Sequence, residues 1–201
     1  ALLASLAPYT HPTYPPFDMT INDQRRADIW IEEFREHEKS GRMPALEIIH
    51  LPGDHTSGAQ LKRPTPKAYV ADNDLARGRM IETLSRSRFW KSTVVFVLED
   101  DAQDGPDHVD SHRSVMLVIS AWNRGGVMHR FVNTTDVFAT MGEILHLGAL
   151  SQFDAFGRPL RGVFAATPDL SPYSVIKPSV SLTERNPARG PGWEESSRRD
   201  W

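Results

Sequence analysis

The amino-acid sequence predicts an α/β fold with a mostly parallel sheet, and three observations point there. Apolar residues recur at helical spacing in three stretches, short β-branched runs lie between them, and capping or turn residues separate the two kinds of element. Strand, helix and strand in succession form the pattern of a parallel βαβ unit. Ligands of open α/β sheets collect beyond the carboxyl ends of the strands. The residues that follow each β-rich run are therefore the first candidates for a site.

Residues 1–20 form a lead-in with Pro8, Pro12, Pro15 and Pro16. They are expected to be extended, since each proline biases its predecessor away from the α region. Asn22 or Asp23 can cap a helix whose apolar positions Ala27, Trp30, Ile31 and Phe34 share one face, and Gly41 stops it. Leu46 to Leu51 is a short β-rich run, ended by Pro52-Gly53 and followed by Asp54-His55-Thr56. A loop with Pro64 and Pro66 leads to Asp72-Asn73-Asp74, expected to cap a helix with Ala76, Met80, Ile81 and Leu84 on its buried side. Thr93 to Leu98 is too short and too β-branched for a helix and reads as a strand buried on both faces. Ser114 to Ser120 is a third strand. Thr134 or Thr135 then caps a helix carrying Val137, Phe138, Met141, Ile144 and Leu145. Residues 21–164 thus form the α/β body, and 165–201 a Pro-rich, polar arm and tail.

Composition narrows the classes. The 201 residues suit one domain or a large piece of one, and 39% hydrophobic content supports a core. With 26 acids against 23 Lys and Arg, nothing marks the molecule as a binder of nucleic acid or of anionic membranes. No run approaches the roughly 20 apolar residues of a membrane span. The opening Ala1-Leu2-Leu3-Ala4-Ser5-Leu6-Ala7 lacks the basic leader of a secretory signal and is expected to be an internal segment. Cysteine is absent, so His and carboxylate oxygen are the side chains left to hold a metal.

The richest feature follows the apolar run at 93–98: Glu99, Asp100, Asp101, Asp104, Asp107 and Asp110, with His108 and His112 among them. Carboxylates crowded at the end of a buried strand repel one another and lose solvation, and a divalent cation is the simplest compensator. Asp100 and Asp101 reach one ion if the chain turns there. Oxygen ligands suit Ca²⁺, Mg²⁺ or Mn²⁺, and added histidines favour Zn²⁺ or Fe. The plainer alternative is a solvated acidic loop. Asp54 and His55 carry the same ambiguity at the end of the 46–51 run, and Thr56-Ser57-Gly58 reads equally as a hydroxyl-stabilised turn. Arg113 is an anion clamp or the partner of Asp107 or Asp110. Trp30, Trp90 and Trp122 read as packing residues.

Three segments, taken in order, carry a resemblance: Leu51-Pro52-Gly53-Asp54-His55-Thr56-Ser57-Gly58, Val70-Ala71-Asp72-Asn73-Asp74-Leu75-Ala76, and Val97 through Asp110. They strongly resemble the phosphoesterase family of bacterial phospholipases C and acid phosphatases within the alkaline phosphatase superfamily, in the branch often fused to a YncE-like β-propeller. Thr134 to Asp154 continues the similarity, which covers roughly residues 14–187. The resemblance implies part of a three-layer sandwich and a metal-dependent phosphoric ester hydrolase, periplasmic or extracellular. Asp100 and Asp101 occupy the place of the metal-binding pair, with Zn, Ca, Mn or Mg as the ion. His55 and His108 would face the phosphate or leaving group, and Asp54 and Asp107 would add metal or phosphate contacts. The departures are specific. No segment matches the one that supplies the superfamily's nucleophile, so the chain resembles the C-terminal half of the domain, and the missing N-terminal half is an expected partner beside the phosphate-ester substrate. Gly53 stands where relatives commonly carry Asn. The alternative function is a non-catalytic metal-binding or interaction module.

Overall fold

The structure, a computed structural model, describes residues 3–100 and 114–188. Its contacts divide the chain into two units, Ala1–Arg86 with Tyr173–Trp201, and Ser87–Pro172.

The first unit is built on two helices. Helix α1, Asp23–Ser40, starts where the Asn22 side chain accepts the Arg25 N–H at 3.0 Å and stops at Gly41, whose φ of 68° places it in the left-handed region. Helix α2 spans Pro66–Ser85. Its start differs from expectation. Thr65 is the cap, accepting the Ala68 N–H, and Pro66 sits in the first turn, so Asp72, Asn73 and Asp74 lie inside the helix. Asp72 instead serves a tertiary purpose, its carboxylate accepting the Asp23 N–H of α1 at 2.7 Å.

Ala27, Trp30, Ile31 and Phe34 of α1 and Ala76, Met80, Ile81 and Leu84 of α2 are all buried. These are the positions the helical spacing selects, and each large side chain so placed contributes about 1.5–3 kcal/mol. Trp30 stacks on Phe34 with centroids 4.9 Å apart. The lead-in carries a 3₁₀ turn at Ala4–Tyr9, against the expected extended chain. Residues after Tyr173 run along α2 and the 58–65 loop: the Tyr173 N–H donates to Ser85 Oγ at 2.9 Å, Thr65 N–H to the Glu184 carbonyl at 2.9 Å, and the Asn186 amide to the carbonyls of Gly58 and Gln60.

Residues 46–51 are not a strand. Ile48 is 87% exposed, and the segment is held by side chains: Trp30 Nε1–H donates to Glu47 Oε2 at 3.0 Å, and the Tyr14 hydroxyl donates to the His50 carbonyl at 2.9 Å. An apolar run supplies β propensity, but a strand also needs a neighbour for its backbone, and the described residues offer this one none.

The second unit contains strands β1, Val94–Leu98, and β2, Met116–Ser120. They pair antiparallel, Val94 opposite Ser120 and Leu98 opposite Met116. Among the described residues, then, the fold is mixed α and β with a two-stranded antiparallel sheet, and the expected parallel βαβ unit is not formed. Without the 46–51 strand there is nothing for β1 to join by a crossover; its nearest neighbour in sequence, β2, returns alongside it. Both strands are half-buried, not covered on both faces.

Helix α3, Thr134–Leu145, is capped by Asn133, and the short α4, Gln152–Ala155, by a Ser151–Asp154 capping box. Asp136 of α3 is buried and bonded to Arg130 Nη1 at 3.2 Å and the Arg158 N–H at 2.6 Å, which fixes the chain around α3. Only Val137 of the expected apolar stripe is buried; Phe138 and Ile144 are exposed. No described helix is long and apolar enough to cross a membrane.

Candidate functional site

The site-bearing loop of the first unit rests on a buried charge. Arg26 and Asp23, both 0% exposed, lie one turn apart on α1 with Nη1 3.4 Å from Oδ1. The guanidinium also donates to the carbonyls of Ile21 at 2.5 Å, Pro16 at 2.8 Å and Asp18 at 3.2 Å, so it clamps the lead-in onto the helix. The other Asp23 oxygen accepts the Gly53 N–H at 2.8 Å and Asn73 Nδ2–H at 3.0 Å, and the same Asn73 amide donates to the Leu51 carbonyl at 2.9 Å. The Asp-Asn-Asp and Leu-Pro-Gly-Asp-His motifs are thus joined through one carboxylate. Burial pushes the carboxyls of Asp23 and Asp72 above their ordinary values, against the donors that surround them.

On that support Pro52–His55 forms a 3₁₀ turn that presents Asp54 and His55, both partly exposed. Thr56, next in line, has φ 60° and ψ −177°, a conformation that is essentially glycine's and costs on the order of 1–3 kcal/mol in other residues. It is held by its own N–H to the Gly53 carbonyl at 3.2 Å and by the Gly58 N–H to its hydroxyl at 3.1 Å. His55 Nδ1 lies 3.1 Å from the Thr56 carbonyl. A carbonyl only accepts, so Nδ1–H donates to it, and Nε2 is the ring nitrogen left for a proton, a metal or a substrate atom. Ser57 is buried against the Tyr69 hydroxyl at 3.2 Å, and the Gly58 N–H bond to the Thr56 hydroxyl is the local turn contact of this segment.

Three rings meet at this loop. Phe17 stacks on His50 with centroids 6.1 Å apart and meets His55 edge-on at 5.3 Å. Sequence reasoning passed over Phe17 and His50, because an aromatic in a Pro-rich lead-in and a histidine inside an apolar run carry no periodic signal. The buried Arg26 was equally hidden, its only sign being an arginine on the apolar side of α1.

In the second unit Asp100 is exposed just past β1. Glu99 pins the place where the connection departs and returns: its N–H donates to the Val115 carbonyl at 3.2 Å and its carbonyl accepts the Ser114 hydroxyl at 3.2 Å. The acidic stretch is therefore the connection between two antiparallel strands. Asp101, Asp107, His108, His112 and Arg113 lie outside the described residues. Asp54 and His55 belong to the first unit and Asp100 to the second, so the expectation that parallel strand ends carry both groups to one sheet edge loses its basis. No cluster of three or more potential ligands occurs among the described residues. Comparison with protein-family models, curated proteins and solved structures finds no match.

Glu47 gives the loop's approach a pH dependence. Burial raises its carboxyl above the ordinary value, with Glu33 acting in the same direction and the Trp30 bond and His37, 3.7 Å away, acting against. A raised folded-state value means that the protonated acid favours the fold. Its contribution is fully present below 4.5 and is lost as pH rises through the folded value. Relative to Glu47→Gln, the wild type should therefore lose thermal stability as pH climbs from below 4.5 toward neutrality. Parallel melting curves for the two proteins across that range would contradict the assignment.

Proposed function

We propose that the chain is the metal-bearing C-terminal part of a phosphoric ester hydrolase similar to the bacterial phosphoesterases of the alkaline phosphatase superfamily. The observation that carries the reading is the His55 loop: a strained Thr56, retained by two hydrogen bonds, whose carbonyl fixes the His55 tautomer and leaves Nε2 for chemistry. Backbone strain of this kind persists where the surroundings enforce it and clusters at functional sites. His55 Nε2 would donate a proton or hydrogen bond at the leaving group or phosphoryl oxygen, with His108 as its counterpart and Asp54 and Asp107 as further contacts. Asp100, an exposed carboxylate at the mouth of the connection, supplies hard oxygen of the kind Ca²⁺, Mg²⁺, Mn²⁺ or Zn²⁺ accepts, and Asp101 is its expected companion. Such an ion would neutralise phosphoryl charge and activate the nucleophile. No residue here is assigned as that nucleophile.

The second unit favours an N-terminal half as partner. Among the described residues its buried apolar side chains are Trp90, Ala121, Val137 and Leu160, whereas Leu150 is 80% and Phe156 87% exposed, with Phe131, Leu147 and Phe153 exposed beside them in sequence. Strands apolar on both faces belong in a sheet covered on both sides. We infer that β1 and β2 become part of the larger, mostly parallel sheet of a three-layer sandwich when that half is present, in a periplasmic or secreted bacterial protein. The test is metal content and p-nitrophenyl phosphate hydrolysis, measured with the N-terminal half present, for the wild type and the Asp100→Asn and Asp101→Asn variants. Both variants should lose most of the metal and the turnover; full turnover in both overturns the proposal.

A further inference from the structure

We propose that Phe17 and His50 form a leaving-group subsite beside His55, and that it takes a planar aromatic group, so that the preferred esters are aryl phosphates. The inference rests on the reading that His55 faces the phosphoryl group.

Phe17 is 52% exposed, yet the backbone on both sides of it is held. The carbonyls on either side of it, Pro16 and Asp18, both accept from the fully buried Arg26 guanidinium, at 2.8 and 3.2 Å. His50 is fixed in the same manner by the Tyr14 hydroxyl on its carbonyl at 2.9 Å. Burial raises the Tyr14 phenol far above its ordinary value, which keeps that group a donor at any working pH. His55 is fixed by the Thr56 carbonyl. Three rings are therefore carried on anchored backbone, with Phe17 and His50 exposed and His55 partly so.

An apolar ring left half in water, on a backbone held by buried hydrogen bonds, is a preorganised surface that loses little entropy on binding. Its neighbours define the ligand. Phe17 gives a π face, on which another ring gains offset-stacked or edge contacts. The two imidazoles give polar nitrogens at the margin, suited to the ester and phosphoryl oxygens of the same molecule. An alkyl chain gains no ring contact. An aryl ester satisfies both elements at once, its ring on Phe17 and its phosphoryl group toward His55.

Binding of inorganic phosphate, phenyl phosphate and glycerol phosphate to the chain, followed through the imidazole resonances of His50 and His55, tests this. Phenyl phosphate should bind about tenfold more tightly than glycerol phosphate. Phe17→Ala should bring that ratio to about one, and Phe17→Tyr should restore it, with circular dichroism confirming that both variants are folded. A ratio near one in the wild type, while phosphate still perturbs His55, overturns the subsite and leaves the hydrolase reading standing. A tenfold ratio unchanged in Phe17→Ala also overturns it. Phosphate that leaves the His55 resonances unmoved overturns the reading beneath it, and the subsite falls with it.

Discussion

Arg26→Met is expected to destabilise the protein by about 3–5 kcal/mol, the range seen when one partner of a buried ion pair is removed. Methionine is of similar length and fills much of the space, so packing loss is a minor part of the effect. The major part is what remains behind: Asp23, 0% exposed, keeps the Gly53 and Asn73 donors but loses the guanidinium at 3.4 Å. The carbonyls of Ile21, Pro16 and Asp18 lose their donor in the same step. Arg26→Lys should fall between the two, since one ammonium cannot reach from Asp23 to Pro16 as a forked guanidinium does. Urea denaturation measures all three proteins. The double variant Arg26→Met with Asp23→Asn should recover part of the loss, because an amide in place of the carboxylate relieves the stranded charge. A loss below about 1 kcal/mol for Arg26→Met would show that the clamp is not what seats the lead-in.

Much of the helical framework was legible in the sequence, because a helix makes its own backbone hydrogen bonds and advertises its buried face by spacing. Helix α1 follows the expected cap, stripe and stop, and Gly41 ends it. The cap of α2 was misplaced because Asp72-Asn73-Asp74 has the composition of a cap; what overrides it is tertiary, Asp72 and Asn73 reaching α1 and the 51–53 segment. Strands are less legible since their partners lie elsewhere in the chain. Val94–Leu98 and Met116–Ser120 found each other, whereas the less apolar Leu46–Leu51 has no strand partner among the described residues and is tied down by the Trp30 and Tyr14 side chains. For the site, the resemblance directed attention to His55, but the features that define its geometry, the positive φ of Thr56 and the Phe17 and His50 rings, leave no pattern in composition or spacing.

Gly53→Ala tests whether the motif loop and the buried pair are one structure. A Cβ at position 53 would collide with Asp23 Oδ2 and stand 3.2 Å from its Cγ, with Asn73 Cβ at 3.4 Å. Asp23 cannot swing away cheaply, because that oxygen holds the Gly53 N–H and the Asn73 amide and its twin faces Arg26. Overpacking usually costs about 1–3 kcal/mol; here the clash displaces a fully buried carboxylate from its donors, and about 3 kcal/mol is expected. The glycine is required for the close approach of backbone to carboxylate, not for a left-handed turn. Any residue larger than glycine at this position needs Asp23 to lie elsewhere. Because Gly53 accepts the Thr56 N–H that holds the strained residue, the variant should also shift the His55 imidazole resonances and, on the proposed function, weaken phosphate binding. The Gly53→Ala and Asp23→Asn effects should be strongly non-additive, since both act on one pair of atoms. Strict additivity in urea denaturation, or an undisturbed His55 in a destabilised Gly53→Ala protein, would separate the loop from the network and remove the support proposed for it.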